Sequence, residues 1–450
     1  MASTVESAKG QRQRQRQRHR SRAQAFWFAA RINLYALSLS LLWGPMNAVL
    51  MPLRVSQTVR GDIRGSALGL LSLLGIGIAV VVEPIAGRVS DRADLPDRRR
   101  PFVVVGTALA LPCLFVLWWA PGYLWLLAGY ILLQLCLNVA QAAFQAYIPD
   151  LVVPAEVGLA SGVNSALNIL GSTLGLLVAG ILLMTGAGVS IGAALGLLGA
   201  GLVAGAVWVW IAVPRVPPLP RGERIGSMWR LLAPGPVAHT FVDTLRDHPC
   251  FALATLARFL FLLGVYPLTR FLLYFLQDRF GMRHAPSQAA VYVLAATAFA
   301  GLGAIVSGWL SDRFGRIAVL RGCIVAGALG MLIVALAPTL TMAAVGGGLT
   351  ALGTGAFLAA SWALLGDLIP HGMGAHFYGV ANIAMAGASA LTGLFGFVLD
   401  AARGFAPAAA YALTFGLAAL VALTSFIPLR RIALSDKRES AVLSHTPRGN

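Results

Sequence analysis

The sequence predicts an all-α membrane protein, twelve transmembrane helices arranged as two six-helix, pseudo-symmetric bundles. Three observations predict it. Hydrophobic residues make up 58% of the 450 residues and charged residues only 11%, whereas a soluble chain is typically about 25% charged. Apolar runs of spanning length, about 20 residues each, recur between short polar breaks. Motifs of the first half return in the second at a nearly constant offset. The same composition excludes a soluble enzyme, which needs more charge on its surface, and a disordered chain, which is poor in apolar residues.

The apolar runs lie at 32–53, 64–86, 101–120, 122–147, 157–183, 188–213, 250–276, 288–310, 319–338, 340–366, 376–400 and 405–428. In lipid each must satisfy its own backbone N–H and C=O groups, which a helix does within one segment. Barrel strands would alternate apolar and polar residues, and stretches such as Leu70–Val82 do not. Cys113, Cys136, Cys250 and Cys323 sit in or beside these runs without metal or Cys-x-x-Cys spacing, and read as small apolar side chains.

Charge sets the orientation. Of 34 Lys and Arg residues, 26 fall in the N-tail with Arg31, the 87–100, 214–249 and 311–321 segments and the C-tail; Arg54, Arg60, Arg64, Arg279, Arg283 and Arg403 fall on the opposite side, and Arg258 and Arg270 within the seventh run. The positive-inside rule puts the richer side, with both termini, in the cytoplasm. The net charge of +17 therefore reads as topology in the inner, plasma membrane rather than as a nucleic-acid surface. The predicted divisions are a disordered basic N-tail (1–25), a first bundle (26–213), a Pro-rich cytoplasmic linker (214–249), a second bundle (250–428) and a cytoplasmic C-tail (429–450). The Gln11–Arg20 repeat is low-complexity, suited to touching nucleic acid or anionic lipid; as a topology anchor it needs neither.

The halves carry a repeat. Gly87-Arg-Val-Ser-Asp91-Arg92 follows the second run, and Gly308-Trp-Leu-Ser-Asp312-Arg313-Phe-Gly315-Arg316 follows the eighth, with the aspartates 221 apart. Asp150-Leu-Val-Val-Pro154 ends the fourth run and Asp367-Leu-Ile-Pro370 the tenth, 217 apart, as are Gly162 and Gly379. Two homologous bundles related by an axis along the membrane normal would produce this.

The Gly-x-x-x-Asp-Arg-x-Gly-Arg pattern, in the cytoplasmic loop after the second helix of each half, resembles the signature loop of the major facilitator superfamily, and that resemblance covers the whole chain. The second copy matches throughout. The first lacks the later Gly and carries Asp94-Leu-Pro-Asp97 before Arg98-Arg99-Arg100; this longer form is similar to the loop of sucrose transporters and the glycoside–pentoside–hexuronide cation symporters. The resemblance implies the major facilitator fold and a secondary transporter for a small polar solute, preferably sugar-like, with drug or metabolite efflux as the alternative. It implies no enzymatic activity and no cofactor. The partners it implies are a small-molecule substrate and the lipid bilayer, with a proton or sodium ion as coupling ion; the chain is expected to be a monomer.

Two sets of residues are candidates for this work. The first is a latch on the cytoplasmic side: Glu83, Gly87, Asp91, Arg92, Arg98, Arg99, Arg100, Asp150, Glu156, Gly308, Asp312, Arg313, Gly315, Arg316 and Asp367. An Asp just past a helix end accepts N–H bonds from a neighbouring helix N-terminus and complements its dipole. The arginines have Asp150, Glu156 and Glu83 to pair with. Such a latch would close one side in one state and break in the other; solvated turns would look the same in sequence.

The second set is a polar cavity. Gln134, Asn138, Gln141 and Gln145 fall within about 60° of one helix face. Four amides do not face lipid; they bond other helices or line a cavity, and the superfamily, whose first, fourth, seventh and tenth helices surround the substrate path, favours the cavity. Asn33, Ser40, Trp43 and Asn47 share about 80° of the first helix, which Gly44-Pro45 can kink. In the seventh, Arg258 lies about 12 Å along the helix near Tyr266, placed to bind an anionic group or to pair with Asp243, Asp247 or Asp150. Arg270 reads as a snorkelling residue near the outer end. Trp362 is 217 residues after Gln145 and faces the same space if the repeat holds. No carboxylate stands at mid-depth in these four helices. Glu83 reads as part of the latch or as a proton carrier, and Asp278 and Asp400 as helix-end residues. Gly158, Gly162, Gly171 and Gly175 read as helix-packing positions. No nucleotide-binding motif occurs. The histidines, including His371 and His376, lack the spacing of a metal site.

Overall fold

The computed structural model describes residues 22–153, 156–184, 187–218, 243–369 and 374–432. The Arg/Gln repeat, most of the Pro-rich linker, His371 and the C-tail beyond 432 lie outside them, as do the side chains of Arg92 and His376.

Among the described residues twelve helical spans are long and apolar enough to cross a membrane: α1 Arg22–Thr58, α2 Arg64–Asp91, α3 Arg100–Trp119, α4 Tyr123–Leu151, α5 Val157–Met184, α6 Ile191–Ala212, α7 Pro249–Phe280, α8 Ala285–Phe314, α9 Arg316–Leu336, α10 Leu340–Leu368, α11 Gly379–Phe405 and α12 Pro407–Ile432. They follow the twelve apolar runs in order. Several outrun them, because a helix continues into the interface as long as its residues favour helix, whatever their polarity. Thus α1 begins at Arg22, ten residues before the apolar run. The first signature motif, expected in a loop, lies on the last turns of α2, and the second runs from the last turns of α8 through Gly315 to the start of α9.

An even number of crossings returns the chain to the face it started from. We call this the terminal face; the opposite, far face carries the turns after α1, α3, α5, α7, α9 and α11. Exposed tryptophans mark both: Trp27, Trp208, Trp210 and Trp309 towards the terminal face, and Trp118, Trp119 and Trp125 at the far face. This is the interfacial belt expected of indoles.

The packing repeats between halves. In the first, α1 lies on α5 and α6, α2 on α4, and α3 on α4 and α6; in the second, α7 lies on α11 and α12, α8 on α10, and α9 on α10 and α12. The contacts across the halves, α2 with α11 and α5 with α8, exchange under the same symmetry. The helices bend where the sequence frees backbone groups. Pro45 leads α1 into a π-helical turn, Met46–Leu50, and α11 breaks at 392–393.

Gly315 alone joins α8 to α9, with φ 82° and ψ 151°, a backbone region essentially reserved for glycine. The first half spans the same connection with the longer 93–99 segment and needs no such residue. The repeat offsets measure this difference. Arg99 and Arg316, like Asp150 and Asp367, are 217 apart, while Asp91 and Asp312 are 221 apart; the four extra residues are Asp94–Asp97. Asp97 uses them to accept the backbone N–H groups of Arg99, Arg100 and Val216 at 3.1, 3.3 and 3.4 Å. It thereby fixes the start of α3 against the chain leaving α6.

Candidate substrate cavity and its gates

A cavity of about 550 Å³ lies between the halves. From the first half Ser40, Trp43, Gly44, Asn47 and Ala48 of α1 and Ser172 and Leu176 of α5 line it. From the second come Tyr266, Thr269 and Arg270 of α7, Val293 of α8, and Met385, Ala386, Ser389 and Thr392 of α11. Hydroxyls, one amide and two aromatic rings surround a single charge, that of Arg270. The backbones come close enough to build it because α1 and α5 meet at glycines: a Cβ on Gly171 or Gly175 would strike the carbonyl oxygen of Leu37 or Leu41.

The far face is closed. Arg64 at the start of α2 pairs with Asp278 near the end of α7, donates to Gln277 Oε1 at 3.3 Å and lies 4.5 Å from the centre of the Tyr274 ring. Asp278 also accepts from Arg403 and Tyr411, each at 2.6 Å. Asp400 accepts from the backbone N–H of Gly65 at 3.2 Å and of Ser66 at 2.5 Å. These are donors that the first turn of a helix leaves unpaired, and the dipole adds attraction. Beneath, Gly65 and Gly69 of α2 meet Gly396 and Gly393 of α11 with no room for a Cβ on any of the four.

The terminal face differs. Every hydrogen bond between the halves recorded among the described residues is on the far side. At the terminal ends Gly87, Gly158, Gly162, Gly308 and Gly379 have no neighbouring element within 4 Å of where a Cβ would stand. The cavity is thus sealed on one face, with its walls apart on the other.

The signature motifs stand at that open face. Asp150 accepts from Arg98 Nη2 and Arg99 Nε, both at 2.8 Å, and Arg99 also bonds Asp91 and, at 2.6 Å, Ser90 Oγ. Arg100 pairs with Asp97 at 3.0 Å. In the second half Arg316 pairs with Asp367 and donates to the Ala363 carbonyl. The Arg99–Asp150 and Arg316–Asp367 pairs are equivalent under the 217-residue repeat.

A family model, the Major Facilitator Superfamily, matches residues 25–393. The chain belongs to the major facilitator superfamily. Solved structures agree in fold. A mutant of the nucleoside transporter NupG aligns at TM-score 0.70 with 12% identity, over 90% of this chain and 99% of that one. A peptide transporter POT mutant in complex with sulfate aligns at 0.66 with 15% identity, over 90% and 94%. A bacterial homologue of the human lysosomal transporter Spinster, described as inward-facing and occupied, aligns at 0.65 with 15% identity, over 92% and 95%. No curated protein matches the sequence. A superfamily transporter binds a small-molecule substrate within the membrane, and the reading as a transporter rather than an enzyme rests on this membership.

Within this superfamily fold the sequence-derived residues separate. Ser40, Trp43, Asn47 and Tyr266 line the cavity. Asn33 does not: it is buried and donates to the carbonyls of Ala29 and Ala160, at 2.9 and 3.2 Å, tying α1 to α5. The amide stripe of α4 divides. Asn138 donates to Gln134 Oε1 at 2.9 Å, Gln134 to Tyr130 Oη at 3.0 Å, and Tyr130 to Asn47 Oδ1 at 3.3 Å. The two buried amides thus act on the cavity wall through Tyr130 instead of lining it. Gln141 donates to Glu83 Oε1 at 2.5 Å, and Gln145 is exposed.

Arg258 pairs with none of the three carboxylates considered from sequence among the described residues. Its Nη1 donates to Ser361 Oγ at 2.6 Å and its Nη2 to Met385 Sδ at 3.6 Å, and the guanidinium lies 4.0 Å from the centre of the Trp362 ring. Neither Arg258 nor Trp362 is among the residues that line the cavity; Met385, which Arg258 touches, is. Of the latch residues, Arg98 and Arg99 pair with Asp150 as the sequence allows, and each ion pair among the described latch residues stays within one half. Glu83 bonds an amide rather than an arginine. Glu156 is half-buried; Asp312 and Arg313 are exposed, and Arg313 lies against its neighbours Trp309 and Phe314. Sequence reasoning reads Asp278 and Asp400 as helix-end residues and Arg270 as snorkelling, and so leaves all three out of the site. Charge at a span end, in a chain with so few charges, is the one signal that could have singled out Asp278 and Asp400.

Proposed function

We propose that the chain is a secondary transporter that carries a small polar, sugar-like solute across the plasma membrane by alternating access, with the terminal face cytoplasmic. The observation that carries this reading is the polar cavity between two pseudo-symmetric halves, sealed on one face while the helix ends stand apart on the other. The 26-to-6 distribution of Lys and Arg supports the orientation. Hydroxyl and amide groups beside Trp43 and Tyr266 suit a hydroxylated solute.

In the opposite state the far-face contacts release and the terminal ends of α2 and α11, and of α5 and α8, approach. The empty space at Gly87, Gly158, Gly162, Gly308 and Gly379 is then the counterpart of the filled space at Gly65, Gly69, Gly393 and Gly396. Asp312 takes the part that Asp400 plays here, accepting N–H bonds at the start of α5. Glu83, bonded to an amide and to no cation among the described residues, is the candidate carrier of a coupling proton. Efflux of amphipathic compounds is the second reading. An apolar cleft of about 380 Å³ between α7, α8 and α10 shares Tyr266, Thr269 and Val293 with the cavity.

Counterflow in proteoliposomes tests the proposal. Solutes that raise the melting temperature of the purified protein, drawn from sugars, organic acids and drugs, are supplied labelled outside and unlabelled inside. A transporter exchanges them faster with solute on both sides. A solute that binds and is never exchanged contradicts the reading.

A further inference from the structure

Arg270 is 8% exposed, ten residues from the far-face end of α7 and so about 15 Å along the helix. It lines the cavity, and its Nη1 is buried without a hydrogen-bond partner. A guanidinium at that depth is costly unless an anion or water meets it. The nearby carboxylates do not: Asp278 is taken by Arg64, Arg403 and Tyr411, and Asp400 by Arg403 and the start of α2. Tyr130, the phenol beside it, is committed to Asn47 and accepts from Gln134. Arg258, the other deep arginine of α7, is already engaged by Ser361, Met385 and Trp362.

We infer that Arg270 is an anion subsite, and that the transported solute presents a carboxylate or phosphate group to it while its hydroxyl or amide groups meet Asn47, Ser389 and their neighbours. This deepens the transport reading and rests on it. The cavity has one cation and no anion among its described lining residues, so an uncharged sugar would leave the guanidinium unpaired, whereas an acidic or phosphorylated one completes it. Arginine's fixed fork suits either group.

The test works before the solute is identified. In the full-length protein with its four cysteines replaced, Ser389→Cys places a thiol in the cavity wall. Its modification rate by an anionic thiosulfonate is compared with that by a cationic analogue of similar size, each normalised to a thiol from Ser161→Cys on the exposed surface. The anionic reagent should be favoured by at least about tenfold, because a unit charge within about 10 Å at an effective dielectric near 20 attracts the one reagent and repels the other by more than that factor each. Arg270→Gln should abolish the preference and Arg270→Lys should keep it. Gluconate or glucose 6-phosphate should protect the thiol better than glucose, and which of the two protects separates carboxylate from phosphate. Absence of a charge preference, its persistence in Arg270→Gln, or equal protection by glucose overturns the subsite. The transport reading fails on a different result, an exchange assay without exchange.

Discussion

Arg64 of the first half pairs with Asp278 of the second across the far face, and with Asp400 at the start of α2 this contact holds one entrance to the cavity shut. Arg64 is 13% exposed and Asp278 33%, so the pair is only partly shielded from solvent and contributes on the order of 1 kcal/mol. That suffices to bias two states of similar energy. Asp278→Asn should raise the far-face reactivity of a thiol from Asn47→Cys several-fold, measured with an impermeant reagent in oriented vesicles. Unchanged reactivity would remove the pair from the gate.

The glycines predict opposite effects on the two faces. Gly69→Leu places a side chain where the Gly393 carbonyl stands, and should disfavour the state described here. Gly162→Leu meets nothing in this state and should leave it intact while blocking the other. Both variants should lose exchange. They should differ in thermal stability, with Gly162→Leu near wild type and Gly69→Leu lowered.

Asp150 holds two buried arginines, Arg98 and Arg99. Asp150→Asn removes a charge that both need, and breaking a buried pair costs about 3–5 kcal/mol. The yield of folded protein should fall. The equivalent Asp367→Asn should matter less, because the Arg316–Asp367 pair is 35% and 55% exposed. Equal loss in the two variants, read by fluorescence-detected size exclusion, would contradict this ordering.

Glu83 and Gln141 separate gating from coupling. Glu83→Gln keeps the shape and a partner for Gln141 while removing the exchangeable proton. Counterflow should survive and accumulation driven by a proton gradient should not. If both are lost together, Glu83 has a structural role; if gradient-driven uptake persists, the proton travels elsewhere.

The spans are legible in the sequence because hydropathy and the requirement to satisfy the backbone act locally. The repeat is legible because the halves preserve their offsets. Even the four-residue surplus of the first signature is visible there, although its purpose, the hold of Asp97 on Val216, is not. The far-face closure cannot be read. Its members stand at 64, 278, 400 and 403, and no periodicity links them until α2, α7 and α11 converge. Arg270 escapes a reading by hydropathy for a nameable reason. The apolar run ends at 276, which puts Arg270 near the membrane surface, but α7 continues to Phe280 and closes on Gly281 in a left-handed conformation, carrying Arg270 inward. The amide stripe is legible as polarity that avoids lipid, but its division between Tyr130 and Glu83 depends on neighbours that spacing cannot supply.

Alternating access is tested most directly by paired distances across the two faces. One pair of spin labels, introduced by Ser161→Cys and Phe314→Cys, spans the terminal ends of α5 and α8. A second, introduced by Arg60→Cys and Arg283→Cys, spans the far-face turns. Both pairs are measured in the otherwise cysteine-free protein with and without Asp278→Asn. Alternating access predicts reciprocal change: as the far-face lock weakens, the far-face distance lengthens and the terminal-face distance shortens in the same fraction of molecules. Distances that both lengthen, or a far face that opens while the terminal face stays apart, would contradict it.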